Sequence, residues 1–237
     1  MDRNYAKYLL EDTRKNYNLT AESYTRTRAF IPEDIKSLTG YAQKGDRVLD
    51  SGCASGRLYN ILKDKGVDYY GVDISEKLIK IALKNYPKGK FQTANTLDLP
   101  FEDNFFDKIL SISVIHNIPS CEYQLHYLLE SKRVLKPGGV LFLRVWDFWK
   151  RKDFLPLFIR YSFLKILGKS KLDFKDVFVP WKDSQGKILI NRYFHCFTKK
   201  EIENLIKKAG FMIKKSWRGG EDPRTNIYII AEKPARL

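Results

Sequence analysis

A glycine-rich turn between a short apolar run and a helical pattern constrains this fold more than any other feature. Residues 47–50 (RVLD) predict a strand, residues 51–56 (SGCASG) the turn, and residues 57–65 a helix. Glycines in that setting let the backbone turn tightly and approach a ligand, while the helix N-terminus offers unpaired N–H groups. The turn therefore predicts a ligand site at the end of a strand.

A second strand ending in an acid strengthens that prediction. Residues 68–73 (DYYGVD) predict a strand that ends at Asp73, and Ser75 follows as the N-cap of a helix over residues 75–85. An acid about 20 residues beyond such a turn is placed to accept hydrogen bonds from ribose hydroxyls. The two features together predict a site for a cofactor that contains a nucleoside.

Strand and helix patterns continue to alternate along the chain. Five further strands are predicted, at residues 90–93, 108–113, 140–145, 211–217 and 227–231. A helix over residues 198–209 precedes the last two. Such alternation predicts a Rossmann-like α/β fold, in which a mostly parallel seven-stranded sheet carries helices on both faces.

The chain has the length of one large α/β domain, 237 residues. We expect four segments within it: an N-terminal helical cap (1–44), a cofactor-binding core (45–146), a substrate-side insertion (147–190) and a C-terminal helix and strands (191–237). The insertion contains a strongly apolar helix at residues 153–167. That helix is expected to be a lid or a core element, although an exposed version could bind a partner or lie on a membrane.

Charge favours a polyanionic partner. With 43 Lys and Arg against 28 Asp and Glu, the formal charge is +15, which would concentrate RNA around the protein. The same excess could reflect a general lysine bias, because the lysines are spread along the chain. Three widely spaced cysteines without a CxxC pair predict neither disulfides nor a metal site.

The sequence also bears on location. No stretch approaches the ~18 uncharged apolar residues that a membrane span needs. The N-terminus, MDRN, lacks a secretory pattern. We therefore expect no membrane span and a cytoplasmic protein.

Four segments, in order, resemble the successive motifs of class I S-adenosylmethionine-dependent methyltransferases. They are VLDSGCASG, GVDIS, ANTLDLPFEDNFFD and RVLKPGG, within residues 45–145. The resemblance implies the class I methyltransferase fold and S-adenosyl-L-methionine as cofactor. A dinucleotide-binding dehydrogenase is the alternative, but the G-x-G-x-x-G spacing is absent and DLPF and KPGG have no role in it.

The resemblance also implies roles for individual residues. The candidate cofactor residues are Asp50, Gly52, Cys53, Ala54, Gly56, Asp73, Ile74, Asn95, Thr96 and Ser113. Asp50 and the two glycines would surround the methionine half of the cofactor, Asp73 would take the ribose, Ile74 would pack on the adenine, and Asn95 with Thr96 would meet its edge.

Two residues depart from the family pattern. Ala54 stands where a second glycine is usual, and Asn95 where Asp is usual. Ala54 is acceptable if the turn has a negative φ at that position. The side-chain oxygen of Asn95 can still accept a hydrogen bond from an adenine amino group.

Segments outside the shared fold are similar to the tRNA methyltransferases that esterify 5-carboxymethyluridine at the wobble position. The segments are SISVIHN, LRVW, VFVPW, NRYFHCF and EIENL, and the similarity extends over residues 17–211. Asn117, Asp147 and Lys200 depart from that family's pattern. The resemblance implies tRNA as a partner and, as in enzymes of eukaryotes and archaea, a small zinc-binding activator protein covering a hydrophobic sheet edge.

The chemistry of a carboxylate acceptor agrees with that resemblance. A carboxylate of pKa near ~4 is already ionised, so the enzyme needs no general base. It must orient the acceptor, exclude water and offset the negative charge. Arg192 is the candidate clamp, since a guanidinium matches a carboxylate or phosphate fork.

Three further side chains complete the predicted catalytic set. Tyr193 and His195 would flank Arg192, and His116 would lie at the mouth of the pocket. Each also has a structural interpretation: His116 bonded to the backbone, His195 partly buried, and Arg192 in a surface salt bridge. Trp181 is interpreted as a core aromatic rather than a stacking platform.

Two rival functions stay open at this level. A methyltransferase for a quinone, lipid or carboxylic acid would close the apolar insertion over a hydrophobic pocket and would use a base such as His116. Its rate would fall as the pH drops through the imidazole range. A catalytically silent RNA-binding protein with the same fold would bind no S-adenosylmethionine.

Overall fold

A twisted seven-stranded sheet forms the centre of the molecule. The computed structural model describes residues 1–28, 30–151, 154–183, 185–220 and 225–235. The strand order is β3-β2-β1-β4-β5-β9-β8. These strands are β1 (Arg47–Ser51), β2 (Asp68–Asp73), β3 (Lys90–Thr93), β4 (Phe106–Ile112), β5 (Leu135–Trp146), β8 (Met212–Gly219) and β9 (Asn226–Glu232).

The sheet is mostly parallel, as predicted. Strands β1 to β5 pair in parallel, and β9 pairs antiparallel with both β5 and β8. The strand order reverses at β1, which has β2 on one side and β4 on the other. In open α/β sheets, ligands bind at the carboxyl ends of the strands beside such a reversal.

Both faces of the sheet are covered. Neighbouring residues on one strand enter different hydrophobic clusters: Leu49 and Leu141 belong to one, while Val48 and Phe142 belong to the other. Successive side chains of a strand point to opposite faces, so two clusters mean two packed layers. The expectation of helices on both faces is confirmed.

Seven α-helices surround the sheets in the described part of the chain. They are α1 (Arg3–Thr27), α2 (Glu33–Thr39), α3 (Tyr59–Leu62), α4 (Glu76–Asn85), α5 (Cys121–Val134), α6 (Leu155–Ile166) and α7 (Lys199–Lys208). Ser75 caps α4 by accepting a hydrogen bond from the Leu78 N–H, as predicted. Among the described residues, no helix has both the length and the apolar character that a bilayer crossing requires.

The helix after the glycine turn is shorter than predicted. Instead of residues 57–65, the α-helix covers Tyr59–Leu62, and a 3₁₀ turn continues over Lys63–Lys65. Gly66 follows in the left-handed conformation, with φ +69°. A left-handed glycine is a common helix stop.

Helix α1 is tied to the beginning of α4. The Asn18 side-chain oxygen accepts hydrogen bonds from Ser75 Oγ at 2.7 Å and from the Lys77 N–H at 3.1 Å. Arg14 adds a salt bridge to Glu76, with 2.6 Å between Nη1 and Oε1. The N-terminal helix is thereby held next to the carboxyl end of β2.

The region after β5 contains a separate hairpin. Strands β6 (Asp176–Lys182) and β7 (Ile188–His195) pair antiparallel in their own two-stranded sheet. The expected segment boundary at residue 190 falls inside β7. Cross-strand pairing, such as Val179 with Arg192, joins the VFVPW and NRYFHCF segments into one unit.

Candidate active site

A cavity open to solvent lies at the carboxyl ends of β1, β2 and β4, and it encloses about 700 Å³ when its open mouth is included. Seven of the ten candidate cofactor residues line it: Gly52, Ala54, Asp73, Ile74, Asn95, Thr96 and Ser113. The other three, Asp50, Cys53 and Gly56, are buried and do not line it. Helix α1 closes one side through Leu10, Thr13, Tyr17 and Tyr24.

The two glycines of the turn have no room for a side chain. Gly56 has φ +79°, and a Cβ there would lie 2.6 Å from Cζ of Phe91. Gly52 has the same φ, and a Cβ there would collide with Val114. Glycine is therefore required by both backbone conformation and close approach.

Ala54 does not have the negative φ that was expected of it. Its φ is +50°, in the left-handed region where a Cβ is unfavourable. Its N–H donates to Oδ2 of Asp73 at 2.9 Å, which holds the turn against the end of β2. The turn thus keeps the conformation that glycine would favour, although an alanine occupies it.

Asp73 combines burial with directed hydrogen bonds. Its Oδ1 accepts from the Ser75 N–H at 2.9 Å and its Oδ2 from the Ala54 N–H. Burial raises the pKa of Asp73, while these backbone donors oppose that shift. Each carboxylate oxygen retains acceptor capacity for a further donor.

Asp50 lies behind the turn rather than on the cavity wall. The Tyr69 hydroxyl donates to its Oδ2 at 2.8 Å. Burial raises the pKa of Asp50 to about 7, against the opposing effects of Tyr69 and Arg57. Cys53 is also buried, and its N–H donates to the Val72 carbonyl at 2.9 Å, so it anchors the turn to β2.

The remaining wall residues come from three strand ends. Asn95 already accepts a hydrogen bond from the Leu97 N–H at 3.0 Å through its side-chain oxygen. Ser113 has φ +64°, and its Oγ accepts from Nη1 of Arg144 at 2.9 Å. Ile74 presents the apolar part of the wall next to Asp73.

Arg192 lies beside this cavity on an aromatic platform. Its guanidinium carbon is 4.6 Å from the Trp181 ring centre and 5.1 Å from that of Phe194. Trp181 in turn stacks on Tyr24 of the cavity wall, with 6.0 Å between ring centres and 29° between planes. Trp181 is half-buried and links the cavity wall to Arg192, a position the core-aromatic interpretation did not predict.

Arg192 has no acidic partner among the residues that the structure describes. Its Nε is buried without a hydrogen-bond acceptor, and burial lowers its pKa. A surface salt bridge, the structural interpretation of this residue, is therefore not observed. Arg28 lies close by, 5.8 Å from the Trp181 ring and 5.7 Å from the Tyr24 ring.

The side chains of Tyr193 and His195 do not flank that of Arg192, contrary to the expectation from sequence. Alternation along β7 directs them to the other face of the hairpin. Tyr193 is buried in a cluster with Leu9 and Leu172. His195 lies in a different pocket, with Nδ1 2.7 Å from Asp176 and Nε2 3.2 Å from Glu201.

The environment of His195 keeps it charged. Burial disfavours the imidazolium, but the hydrogen bonds to Asp176 and Glu201 outweigh burial and raise the pKa of His195 to about 9. Lys175 also reaches Glu201, at 2.9 Å. The histidine is therefore part of a partly buried ion cluster that joins the hairpin to α7.

His116 is not at the mouth of the cavity. It is 1% exposed, and its ring centre lies 5.3 Å from those of both Trp146 and Phe194. Burial and the neighbouring arginines lower its pKa well below the usual value. A rate change near the ordinary imidazole pKa would therefore not report His116.

Comparison with known proteins identifies the family. Residues 49–143 match the family model described as a methyltransferase domain. The tRNA (carboxymethyluridine(34)-5-O)-methyltransferase of Schizosaccharomyces pombe is 28% identical over 96% of this chain and 98% of its own length. The chain belongs to the methyltransferases. A probable tRNA methyltransferase 9B from Mus musculus is 26% identical over 76% of the chain, which spans about a third (34%) of that relative's length.

Solved structures confirm the class I methyltransferase fold. An S-adenosylmethionine-dependent methyltransferase from Methanosarcina mazei superposes with a TM-score of 0.72 at 24% identity, covering 84% of this chain and 98% of its own. A Haloferax volcanii methyltransferase, solved in complex with the Trm112 methyltransferase activator, gives a TM-score of 0.64 at 17% identity, covering 95% and 99%.

Helix α1 of the methyltransferase lies in the expected N-terminal cap, but its side chains at the site were not among the candidate residues. The Tyr17 hydroxyl donates to Oδ1 of Asn117 at 3.1 Å, and Nδ2 of Asn117 donates to the Ser113 carbonyl at 2.9 Å. Burial raises the pKa of Tyr17, so the hydroxyl stays protonated. Asn117, a departure from the family pattern, was the only local signal of this contact.

Proposed function

We propose that this methyltransferase transfers the methyl group of S-adenosyl-L-methionine to the carboxylate of 5-carboxymethyluridine at the tRNA wobble position. The observation that carries the proposal is Arg192, a half-buried guanidinium beside the cavity without an acidic partner among the described residues. An anionic acceptor would supply that partner. The extent of the similarity to the Schizosaccharomyces pombe enzyme supports the same acceptor.

The cavity has the chemical features that the donor needs. Gly52 lines the cavity at the end of β1 and presents backbone without a side chain to a ligand, and Asp73 retains acceptor capacity for ribose hydroxyls. Ile74 offers an apolar surface for adenine, with Asn95 and Thr96 at its edge. When bound, S-adenosyl-L-methionine supplies an electrophilic methyl group on its sulfonium.

The acceptor site follows from the neighbouring side chains. Arg192 would hold the carboxylate, and the stacked pair of Tyr24 and Trp181 would suit an unstacked pyrimidine, because aromatic side chains are the usual platforms for single-stranded RNA bases. The ionised carboxylate needs no general base. The buried, neutral His116 would then support the aromatic cluster rather than take a proton.

The partners also belong to this proposal. We propose that tRNA is attracted by the formal charge of +15 and that the protein works in the cytoplasm. The Haloferax neighbour suggests a small activator protein. The open edge strand β3 exposes Lys90, Gln92 and Thr93, so an activator there would use main-chain pairing rather than the hydrophobic contact expected from sequence. No group of three or more possible metal ligands occurs among the described residues.

The test uses the full chain, labelled S-adenosylmethionine and tRNA that lacks the modification. Mass spectrometry of the nucleosides should show an alkali-labile methyl ester on a uridine. Arg192→Ala should lower kcat/KM for tRNA by about a hundredfold, since truncating one partner of a desolvated charge pair costs roughly 2–5 kcal/mol. The loss should fall mainly on KM, because the acceptor charge that Arg192 binds disappears as the ester forms.

Calorimetry provides the control for that variant. Donor affinity should be unchanged in Arg192→Ala, and Arg26→Ala, which removes an exposed arginine of α1, should retain activity. Loss of donor binding in Arg192→Ala would mean that the arginine belongs to the donor site. Methylation of a quinone or lipid in place of tRNA would support the small-molecule alternative.

A further inference from the structure

Helix α6 carries an exposed apolar stripe. Leu155, Ile159, Phe163 and Ile166 are 54%, 59%, 59% and 72% exposed. Their spacing places them within an arc of about 80°, given 3.6 residues per helical turn. With Leu167, this helix supplies five of the sixteen exposed large hydrophobic residues found in the described part of the chain.

The stripe is not a consequence of poor packing. The other side of α6 packs onto the hairpin: Leu157, Phe158 and Tyr161 are partly buried against a cluster that includes Val177 and Phe194. All twelve residues of α6 are described, and none is fully buried. The helix is therefore an outer element with one face docked and one apolar face exposed.

The segment that carries the stripe has charges of a single sign, although Asp153 and Asp173 border it. Residues 154–172 contain four basic side chains and no acid, and the basic ones are Arg160, Lys165, Lys169 and Lys171. None of the four forms an ion pair with an acidic side chain of the described residues. Two of the four lie over aromatic rings, Arg160 over Tyr161 and Lys171 over Tyr5.

The combination of an apolar stripe with basic side chains fits one kind of binding partner. RNA would match the cations but would offer no apolar partner for Leu155, Ile159 and Ile166. A second copy of the chain would bring two basic helices together. Anionic lipids match both features, because apolar side chains enter the boundary between headgroups and acyl chains while basic ones bind the headgroups.

We propose that α6 docks this protein on the surface of a bilayer containing anionic lipids. The apolar stripe enters the interface, and Arg160, Lys169 and Lys171, which are exposed, lie at headgroup level. The proposal goes beyond the methyl transfer described above and does not depend on it. Docking through α6 would hold the protein at a surface without a membrane-spanning segment.

Vesicle flotation tests the proposal on the full chain. The protein should float with vesicles of phosphatidylcholine and phosphatidylglycerol and remain unbound with phosphatidylcholine alone. The double variant Ile159→Ser/Phe163→Ser should lower the partition coefficient by at least about tenfold, given the apolar area removed from the interface. The matched control is Leu83→Ser/Leu129→Ser, which changes two residues of similar type on α4 and α5 that are 42% and 46% exposed.

Removing the basic charges tests membrane binding independently of the apolar stripe. The triple variant Arg160→Gln/Lys169→Gln/Lys171→Gln should lower partitioning about a hundredfold, since each basic side chain near an anionic surface contributes roughly fivefold. The proposal is overturned if the chain does not bind anionic vesicles, or if the stripe variant binds as well as the control. It is also overturned if the stripe variant loses tRNA affinity or self-association instead.

A failure of the membrane-docking proposal can be distinguished from a failure of the proposed enzyme activity. Methylation of free tRNA is measured without vesicles, and none of the substituted α6 residues lines the cavity. The stripe variant should therefore methylate free tRNA as the original chain does.

Discussion

The partly buried ion cluster at His195 makes the stability of this protein depend on pH in a defined window. His195 is 8% exposed, and its contacts with Asp176 and Glu201 raise its pKa from 6.5 to about 9. One pKa unit corresponds to about 1.4 kcal/mol, so the shift contributes about 3 kcal/mol to the free energy of unfolding. Despite burial, the hydrogen bonds from His195, Lys175 and the Thr198 N–H lower the pKa of Glu201 to about 2, so this carboxylate stays ionised throughout the window and does not change the pH dependence.

The sign follows from a raised pKa in the folded state. The unfolded chain releases the His195 proton near pH 6.5, whereas the folded chain keeps it up to about pH 9. The stabilisation is therefore complete below pH 6.5 and disappears as the pH rises through 9. Cys196, which lies near the same acids, stays protonated in this window because burial raises its pKa.

Urea unfolding between pH 6 and pH 9.5 measures the effect. The double variant Asp176→Asn/His195→Gln removes the charge pair without leaving one buried charge alone, which would cost more than the pair contributes. The difference in unfolding free energy between the original chain and this variant should shrink by about 3 kcal/mol from pH 6.5 to above pH 9. Parallel stability curves for the two proteins would refute the assignment of a charged His195.

Two further predictions concern the glycine turn. Ala54→Gly should raise the free energy of unfolding by about 1 kcal/mol, because Ala54 has φ +50° and glycine adopts that conformation without the Cβ penalty; an unchanged or lower thermal midpoint would contradict the left-handed assignment. Gly56→Ala should destabilise by about 2–4 kcal/mol, since the new Cβ meets the Phe91 ring in addition to the strain of a positive φ. Gly45→Ala, at φ +89° with open space around it, isolates the strain alone, and equal losses in the two variants would show that the Phe91 contact is unimportant.

Much of the fold was predictable because its signals are local. The glycine turn, the acid at the end of β2 and the Ser75 cap each involve residues within about ten positions of one another, and all three occur where predicted. The strand and helix alternation then limits the connections to right-handed parallel crossovers. Seven of the ten candidate cofactor residues consequently line one cavity.

The catalytic candidates were less predictable because their environments depend on distant parts of the chain. Once residues 188–195 are recognised as a strand, alternation alone separates Arg192 from Tyr193 and His195. The sequence-based interpretation lacked that strand. His116 is buried because β5 and the hairpin both pack on it, which no local pattern around His116 indicates.

The sequence by itself determined the sheet, the glycine turn and the family, since hydrophobic periodicity and turn chemistry act over a few residues. Only the tertiary structure decided which side chains face the cavity and which are charged. Tyr17 and Asn117 are 100 residues apart in sequence yet hydrogen-bonded, and Arg192 is linked to the cavity wall through Trp181 and Tyr24. Burial and the proximity of charges set a pKa, and both arise when distant segments pack together.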